Sequence, residues 1–193
     1  MTGAALAVTI CRLVDLEAGG ASTATMLNAV AAIFRATAAR WPQDEAAARN
    51  FQHLWLDQFL ALDRDLVFLA CRDRPDEMTP DVVGYLVACR ENPAQSARFA
   101  TLDYFANFAD ACAGYPAHLH INLDESVRNR GIGRRLVDAL CNQLCREAIP
   151  GVHIVTSTGA RNERFYASAG FKPIATSPWR SGEVVFMARR LAY

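Results

Sequence analysis

The chain has 193 residues, 52% of them hydrophobic and 21% charged, and its 20 basic and 20 acidic residues give a formal net charge of zero. This composition predicts a soluble globular protein and excludes a low-complexity chain, and the length predicts one domain over residues 1–193. The neutral balance excludes bulk electrostatic attraction to nucleic acid or to an anionic membrane, so we expect neither as a partner.

The six cysteines lie in apolar segments without a Cys-x-x-Cys pair, which predicts buried thiols rather than disulfides. Residues 1–8 lack the charged start and the apolar core of a secretory signal. No apolar run approaches the length of about 18 residues that a membrane span needs. These features predict a cytoplasmic protein.

In the first half of the chain, residues 7–14 predict a strand, which Ser22 or Thr23 follows as the N-cap of a helix. Two apolar stripes at helical spacing predict two helices that cover a sheet. The first stripe comprises Met26, Leu27, Val30, Ile33 and Phe34, and the second comprises Phe51, Leu54, Trp55, Phe59 and Leu62. The apolar runs 66–70 and 82–88 predict an antiparallel pair of strands, because they flank a polar segment with Pro75, Asp76 and Pro80.

In the second half, residues 91–116 show no clear period, whereas residues 117–123 alternate as a strand. Its apolar face carries Leu119, Ile121 and Leu123, and its polar face carries His118, His120 and Asn122. A helix from Ile132 to the stop at Pro150, strands at 152–155, 171–174 and 183–188, and a helix at 162–169 follow. This order requires a parallel crossover, so the fold class is α/β (α+β) with a mixed central sheet flanked by helices.

The turn between the 117–123 strand and the next helix has the composition of a phosphate cradle, a name used below for residues 128–133. Gly131 and Gly133 lack a Cβ, so the turn can bring its amide groups close to a ligand. The following helix directs its free N–H groups and positive dipole end at the same point, which favours a bound anion. Arg128, Arg130, Arg134 and Arg135 add positive charge.

Two motifs resemble the GNAT superfamily of acetyl-CoA-dependent N-acetyltransferases. The first is Arg/Gln-x-x-Gly-x-Gly/Ala between a strand and a helix, here Arg128, Asn129, Arg130, Gly131, Ile132 and Gly133. The second is Phe-Tyr-x-x-x-Gly-Phe at residues 165–171. Residues 115–121 and 151–154 are similar to bacterial relatives of the acetyltransferase-like C-terminal domain of O-GlcNAcases. The resemblance implies a GNAT fold and acetyltransferase activity (EC 2.3.1 type), with acetyl-CoA as co-substrate and no metal.

The resemblance also implies roles for individual residues. The backbone of Ile121, Asn122 and Leu123 would bind the pantetheine arm, and residues 128–134, Arg134 included, would enclose the pyrophosphate. The Leu123 N–H would polarise the thioester carbonyl at a bulge of the strand, and Tyr166 would protonate the departing thiolate. In one departure from the family, Gly159 replaces the frequent asparagine seven positions before this tyrosine, and Asn162 is the nearest alternative for that cofactor contact.

The acceptor amine must lose a proton before it attacks, because a lysine-like amine is only about one part in a thousand neutral at pH 7. His118, His120 and His153 are candidate bases, because histidine titrates in this range. An alternative is that these histidines are ordinary sheet residues. A metal site formed by these histidines is disfavoured, because no carboxylate or cysteine completes an obvious set of ligands.

We expect the acceptor to be a primary amine of a small molecule or a peptide. The alternative is an acyl-CoA-binding module without transfer activity. A hydrolase is disfavoured because no Gly-x-Ser-x-Gly elbow is present, and a P-loop is disfavoured because its Lys-Ser/Thr pair is missing. The oligomeric state is not indicated by the sequence.

Overall fold

A computed structural model describes residues 7–72 and 77–192. These residues form an α/β fold whose strands are β1 (Val8–Arg12), β2 (Val67–Arg72), β3 (Asp81–Cys89), β4 (Ala117–Leu123), β5 (Gly151–Ser157), β6 (Lys172–Trp179) and β7 (Gly182–Arg190). The described strands make one mixed sheet in the order β1-β2-β3-β4-β5-β7-β6, which confirms the predicted fold class. Of the described residues, those within 7–87 and 120–139 form one compact unit, and those within 88–119 and 140–192 form a second.

β2 is antiparallel to β3, with Leu69 opposite Tyr85, which confirms the predicted antiparallel pair. β1 is antiparallel to β2, with Ile10 opposite Ala70. Pro75 and Asp76, which were expected in the connection between β2 and β3, lie outside the described residues, as do residues 1–6. The prediction that the first strand reaches Val14 is wrong, because Leu13 is fully buried at the start of helix α1 (Leu13–Ala18).

Helix α2 (Thr23–Thr37) begins after Ser22, whose hydroxyl accepts a hydrogen bond from the Thr25 amide at 3.4 Å. The second predicted helix consists of α3 (Glu45–Gln52), a π-turn (His53–Asp57) and α4 (Gln58–Leu62). A π-turn adds a residue to one turn and rotates the helix face that follows it. Leu56 is therefore buried, whereas Leu62 is 68% exposed, so the prediction that Leu62 belongs to the apolar stripe is wrong.

Helix α7 (Ile132–Arg146) confirms the predicted amphipathic helix after the phosphate cradle. It buries Ile132, Leu136, Val137, Leu140, Cys141 and Leu144 on one side. Because α7 starts at Ile132, the last two residues of the cradle, Ile132 and Gly133, belong to the first turn of the helix. None of the helices in the described ranges is both long enough and apolar enough to cross a membrane.

In the second unit, β4 begins parallel to β5, with Ala117 opposite Val152 and His118 opposite His153. β5 and β6 are both antiparallel to β7. The segment that the sequence left unassigned contains two short helices, α5 (Tyr104–Asn107) and α6 (Ala109–Gly114). Helix α8 (Glu163–Ser168) lies within the predicted range 162–169. The aromatic core of this unit includes Phe99, Phe105, Phe108 and Phe186.

Candidate functional site

The end of β4 lies against β3 at a glycine. A Cβ atom added at Gly84 would collide with the side chain of Leu123 and lie 3.2 Å from the carbonyl oxygen of Asn122. The Asp124 amide donates to the carbonyl oxygen of Val83 at 2.9 Å. Glycine thus allows β3 to fix the backbone of Asn122 and Leu123 at the strand end that precedes the cradle.

A short 3₁₀ turn (Glu125–Val127) connects β4 to the cradle. The Asp124 carboxylate accepts hydrogen bonds from the Ser126 hydroxyl at 2.5 Å and the Ser126 amide at 2.9 Å, and these bonds lower the pKa of Asp124. Val127 is buried, and Arg128 Nε donates to the carbonyl oxygen of Leu123 at 3.1 Å. These contacts hold the first residues of the cradle to the strand.

The cradle has the backbone geometry of an anion-binding turn. Asn129 and Gly131 have positive φ angles of 58° and 75°, a region that asparagine and glycine tolerate best. Turns that combine such residues with ordinary ones direct successive N–H groups inward. The carbonyl oxygen of Gly131 accepts the Arg135 amide at 3.1 Å, so Gly131 occupies the cap position of α7. The first-turn amides of a helix, here those of Ile132 and Gly133, have no partner within the helix, and such groups stabilise a bound anion.

The four arginines of this region differ in their partners. Arg135 donates to the main-chain oxygen of Val8 at 2.7 Å, and Arg134 lies 3.5 Å from the Asp138 carboxylate. Arg130 is exposed, and its side chain makes no hydrogen bond or ion pair with another described residue. Of these side chains, Arg130 is the one that can turn to a phosphate without losing a hydrogen bond or an ion pair.

The polar face of β4 in the first unit carries His120 and Asn122. The His120 ring meets the rings of Trp55 and Phe59 edge to face, with centroid distances of 5.1 and 5.2 Å. Asn122 Nδ2 donates to the Tyr85 hydroxyl at 2.8 Å. Both side chains are half-buried, and both have their orientation set by residues of the same unit.

His118 and His153 lie together in the second unit. Their ring centroids are 4.9 Å apart, and both residues are buried among phenylalanine rings such as Phe105. His153 Nδ1 lies 2.5 Å from the Tyr115 carbonyl oxygen, so this nitrogen carries the proton and donates it. The structure therefore brings two of the three candidate bases together, in an aromatic core. In residues 7–72 and 77–192, no group of three potential metal ligands is found.

Tyr166 lies in α8 and is buried against Phe165 and Phe171, with centroid distances of 5.1 and 5.5 Å. Burial raises the pKa of its phenol, so the hydroxyl stays protonated at neutral pH. Asn162 accepts a hydrogen bond from the Thr156 hydroxyl at 3.0 Å. Gly159 has a positive φ of 76°, and a Cβ added there would meet no atom within 4 Å.

Comparison with known proteins decides the family. The acetyltransferase (GNAT) domain family matches residues 64–173, more than half of the chain. The chain belongs to this family. It is thus an acetyltransferase of the EC 2.3.1 type, and acetyl-CoA binding is expected of this domain.

Solved structures of other proteins share the fold at low sequence identity. SsHAT matches with 23% identity and a TM-score of 0.63, over 98% of this chain and 100% of that one. The NatC complex bound to Gag peptide and CoA matches with 12% identity and a TM-score of 0.62, over 96% and 99%. The ribosomal-protein-S18-alanine N-acetyltransferase from Escherichia coli matches with 16% identity and a TM-score of 0.54, over 97% and 96%.

Sequence reasoning missed three residues of the first unit that shape this GNAT strand end, namely Gly84, Tyr85 and Trp55. A signal existed for Gly84, because a single glycine inside an apolar strand often marks a close approach of another backbone. Tyr85 and Trp55 contact Asn122 and His120 across long sequence separations, and no local pattern reports such contacts.

Proposed function

We propose that the protein is an N-acetyltransferase that transfers the acetyl group of acetyl-CoA directly to a primary amine of a small molecule or a peptide. The observation that carries this proposal is the cradle, where Asn129 and Gly131 adopt positive φ angles immediately before the N-terminus of α7. A turn of this kind before a helix N-terminus favours a bound pyrophosphate.

The cofactor arm would follow β4 into the cradle. The pairs in register between β4 and β5 end at His118 and His153, although β4 continues to Leu123. We assign pantetheine binding to the backbone of Ile121, Asn122 and Leu123. We assign the pyrophosphate to Arg128, Asn129, Arg130, Gly131, Ile132, Gly133 and Arg134, with Arg130 as the principal side-chain contact.

The chemistry needs stabilisation of an oxyanion and a proton for the leaving group. The Leu123 N–H would donate to the thioester oxygen, which becomes negative when the amine attacks. Tyr166 would give its phenolic proton to the CoA thiolate as the carbon–sulfur bond breaks. Burial raises the pKa of this phenol, so the proton is present at neutral pH, and its transfer requires a short distance between the phenol and the developing thiolate. Asn162 would supply the cofactor contact that relatives make through the residue at Gly159.

The proton of the attacking amine requires a base. His118, His120 and His153 are all candidates for this base, and they differ in how deeply they are buried. His118 and His153 lie in an aromatic core, where a positive charge is costly, whereas His120 is half-buried. We therefore propose His120 as the base, directly or through a water molecule.

Within the family, we place the chain near the bacterial relatives of the acetyltransferase-like domain of O-GlcNAcases. The two segments that carry this likeness pack together. A Cβ added at Gly151 would collide with the Tyr115 ring, and the Tyr115 carbonyl accepts the proton of His153. The two segments that resemble this subgroup are therefore in contact with each other in the second unit.

Calorimetry with acetyl-CoA and a CoA-release assay test this function. Wild-type protein should bind acetyl-CoA stoichiometrically and release CoA with members of a panel of amines, amino acids, polyamines and alanine-starting peptides. Gly133→Val should abolish binding, because its side chain enters the pyrophosphate path. Gly182→Val is the control, since a Cβ there meets no atom within 4 Å. Acetyl-CoA binding without CoA release would favour a binding module, and acetylation of tRNA alone would refute the amine acceptor.

A further inference from the structure

Asn122 presents one side of its amide to Tyr85 and leaves the other side unused. Its Nδ2 group donates to the Tyr85 hydroxyl at 2.8 Å. Its Oδ1 atom makes no hydrogen bond with any residue in the described ranges. The side chain is half-buried, so this oxygen is a fixed acceptor that a ligand can reach.

Tyr85 is suited to hold this amide. It is fully buried, and burial raises the pKa of its phenol, so the hydroxyl remains neutral and accepts the Asn122 N–H at all ordinary pH values. Leu69 lies opposite Tyr85 in the β2–β3 pairing, so the ring is anchored in the sheet. The Asn122 rotamer is thereby determined from inside the first unit.

The position of Asn122 on β4 connects this oxygen to the reaction. Residues two apart on a strand share a face, so Asn122 lies on the same face as His120, the proposed base. The backbone of Asn122 is also part of the segment assigned above to the pantetheine arm. An N–H donor held at Oδ1 would therefore lie beside both the acyl carrier and the base.

We propose that Asn122 Oδ1 accepts a hydrogen bond from the acceptor amine and that Tyr85 is the positioning residue of Asn122, an inference that rests on the proposed N-acetyltransferase function. An amide oxygen is too weakly basic to remove a proton, so its role is orientation. The neutral amine donates one N–H to Asn122 while its lone pair attacks the acetyl carbonyl. The second proton passes to His120 or its water. The electron pair of the C–S bond leaves with the CoA sulfur, which takes a proton from the acid assigned above, and exchange with solvent then returns the base and the acid to their starting states.

This arrangement specifies the substrate class. A neutral primary amine has two N–H groups, one for Asn122 and one for the base. A secondary amine has a single N–H and cannot satisfy both groups, and a hydroxyl has the same deficit. The protein should therefore prefer a primary amine to its N-methyl analogue, and this preference should depend on Asn122.

Steady-state kinetics with a primary amine that the protein acetylates and its N-methyl analogue test the inference. Asn122→Ala should lower kcat/KM for the primary amine by about three- to thirtyfold and remove most of the preference, with little change in acetyl-CoA affinity. Asn122→Asp keeps an oxygen on the outer side and should retain the preference. Tyr85→Phe should show part of the Asn122→Ala effect and should add nothing in the double variant, because both act through one hydrogen bond.

Tyr104→Phe is the matched control, since Tyr104 is another buried tyrosine, and its ring packs on Phe105 and Trp179. It should leave the preference unchanged, and thermal melting should confirm that each variant is folded. Equal rates with primary and N-methyl amines in the wild-type protein, or independent effects of Tyr85→Phe and Asn122→Ala, would refute the inference alone. Failure of the wild-type protein to acetylate any amine would refute the proposed function as well.

Discussion

Arg135 and Val8 are joined by a hydrogen bond of 2.7 Å from the guanidinium of α7 to the main-chain oxygen at the start of β1. The bond links the helix that begins at the cradle to a strand 127 positions earlier in the chain. Four arginines surround the cradle in the sequence, and this contact gives one of them a structural role. The four arginines near the N-terminus of α7 are therefore not equally available to a ligand.

Arg130→Gln should weaken acetyl-CoA binding, and Arg135→Gln should lower the stability of the folded protein. Arg130 has no side-chain partner in the described ranges, so its guanidinium can pair with a phosphate, and its loss should raise the Kd by about five- to twentyfold. Arg135→Gln removes the Val8 contact and should lower the Tm while changing the Kd little. Calorimetry and thermal melting on both variants measure the difference. Equal loss of affinity in the two variants would contradict this division.

Tyr166→Phe should lower turnover by about ten- to a thousandfold and leave acetyl-CoA affinity nearly intact. The ring remains to pack against Phe165 and Phe171, and only the proton donor is lost. The CoA-release assay with a good acceptor measures this, and Tyr104→Phe serves as the control for loss of a buried phenol. If Tyr166→Phe turned over at the wild-type rate, Tyr166 would have a packing role in the core and no role as the proton donor.

The part of the candidate site that the sequence predicts is the part whose signals are local. The alternating strand, the glycine turn and the amphipathic helix occupy consecutive residues, and the structure has β4 at Ala117–Leu123 and α7 from Ile132 as expected. The pair of Tyr85 and Asn122 has a sequence separation of 37 and arises only when β3 and β4 come together. No periodicity reports such a contact.

Other misses have a similar physical cause. Helices α5 and α6 have four and six residues, which is too short for a helical period to appear in the pattern. The π-turn at His53–Asp57 changes the face of the helix without changing the apolar composition. The polar face of β4 was predicted as one set of histidines, but His118 packs on Phe105 and His120 on Trp55.

Asp124 should make the stability of the fold depend on pH in the acid range. Hydrogen bonds from Ser126 lower its pKa in the folded state, so the folded protein favours the carboxylate. The stabilisation is fully present above the unfolded value of about 3.9 and is lost as the pH falls through the lowered pKa. Asp124→Asn should therefore be less stable than wild type at pH 6, and the difference should shrink toward pH 3. Urea unfolding across this range measures it, and a constant difference would exclude Asp124 as the cause.

Gly159→Asn should strengthen acetyl-CoA binding if the missing family asparagine contacts the cofactor. The positive φ of 76° is tolerated by asparagine, and a Cβ at this position meets no atom within 4 Å. Gly159→Ala is the control, because it also places a Cβ at this positive φ but carries no amide. Calorimetry should show a Kd about two- to tenfold lower for Gly159→Asn than for Gly159→Ala.

Asn162 is the competing source of this cofactor contact, and its Oδ1 already accepts a hydrogen bond from the Thr156 hydroxyl. Equal Kd values for the two Gly159 variants, together with weaker binding by Asn162→Ala, would show that Asn162 supplies the contact in this protein.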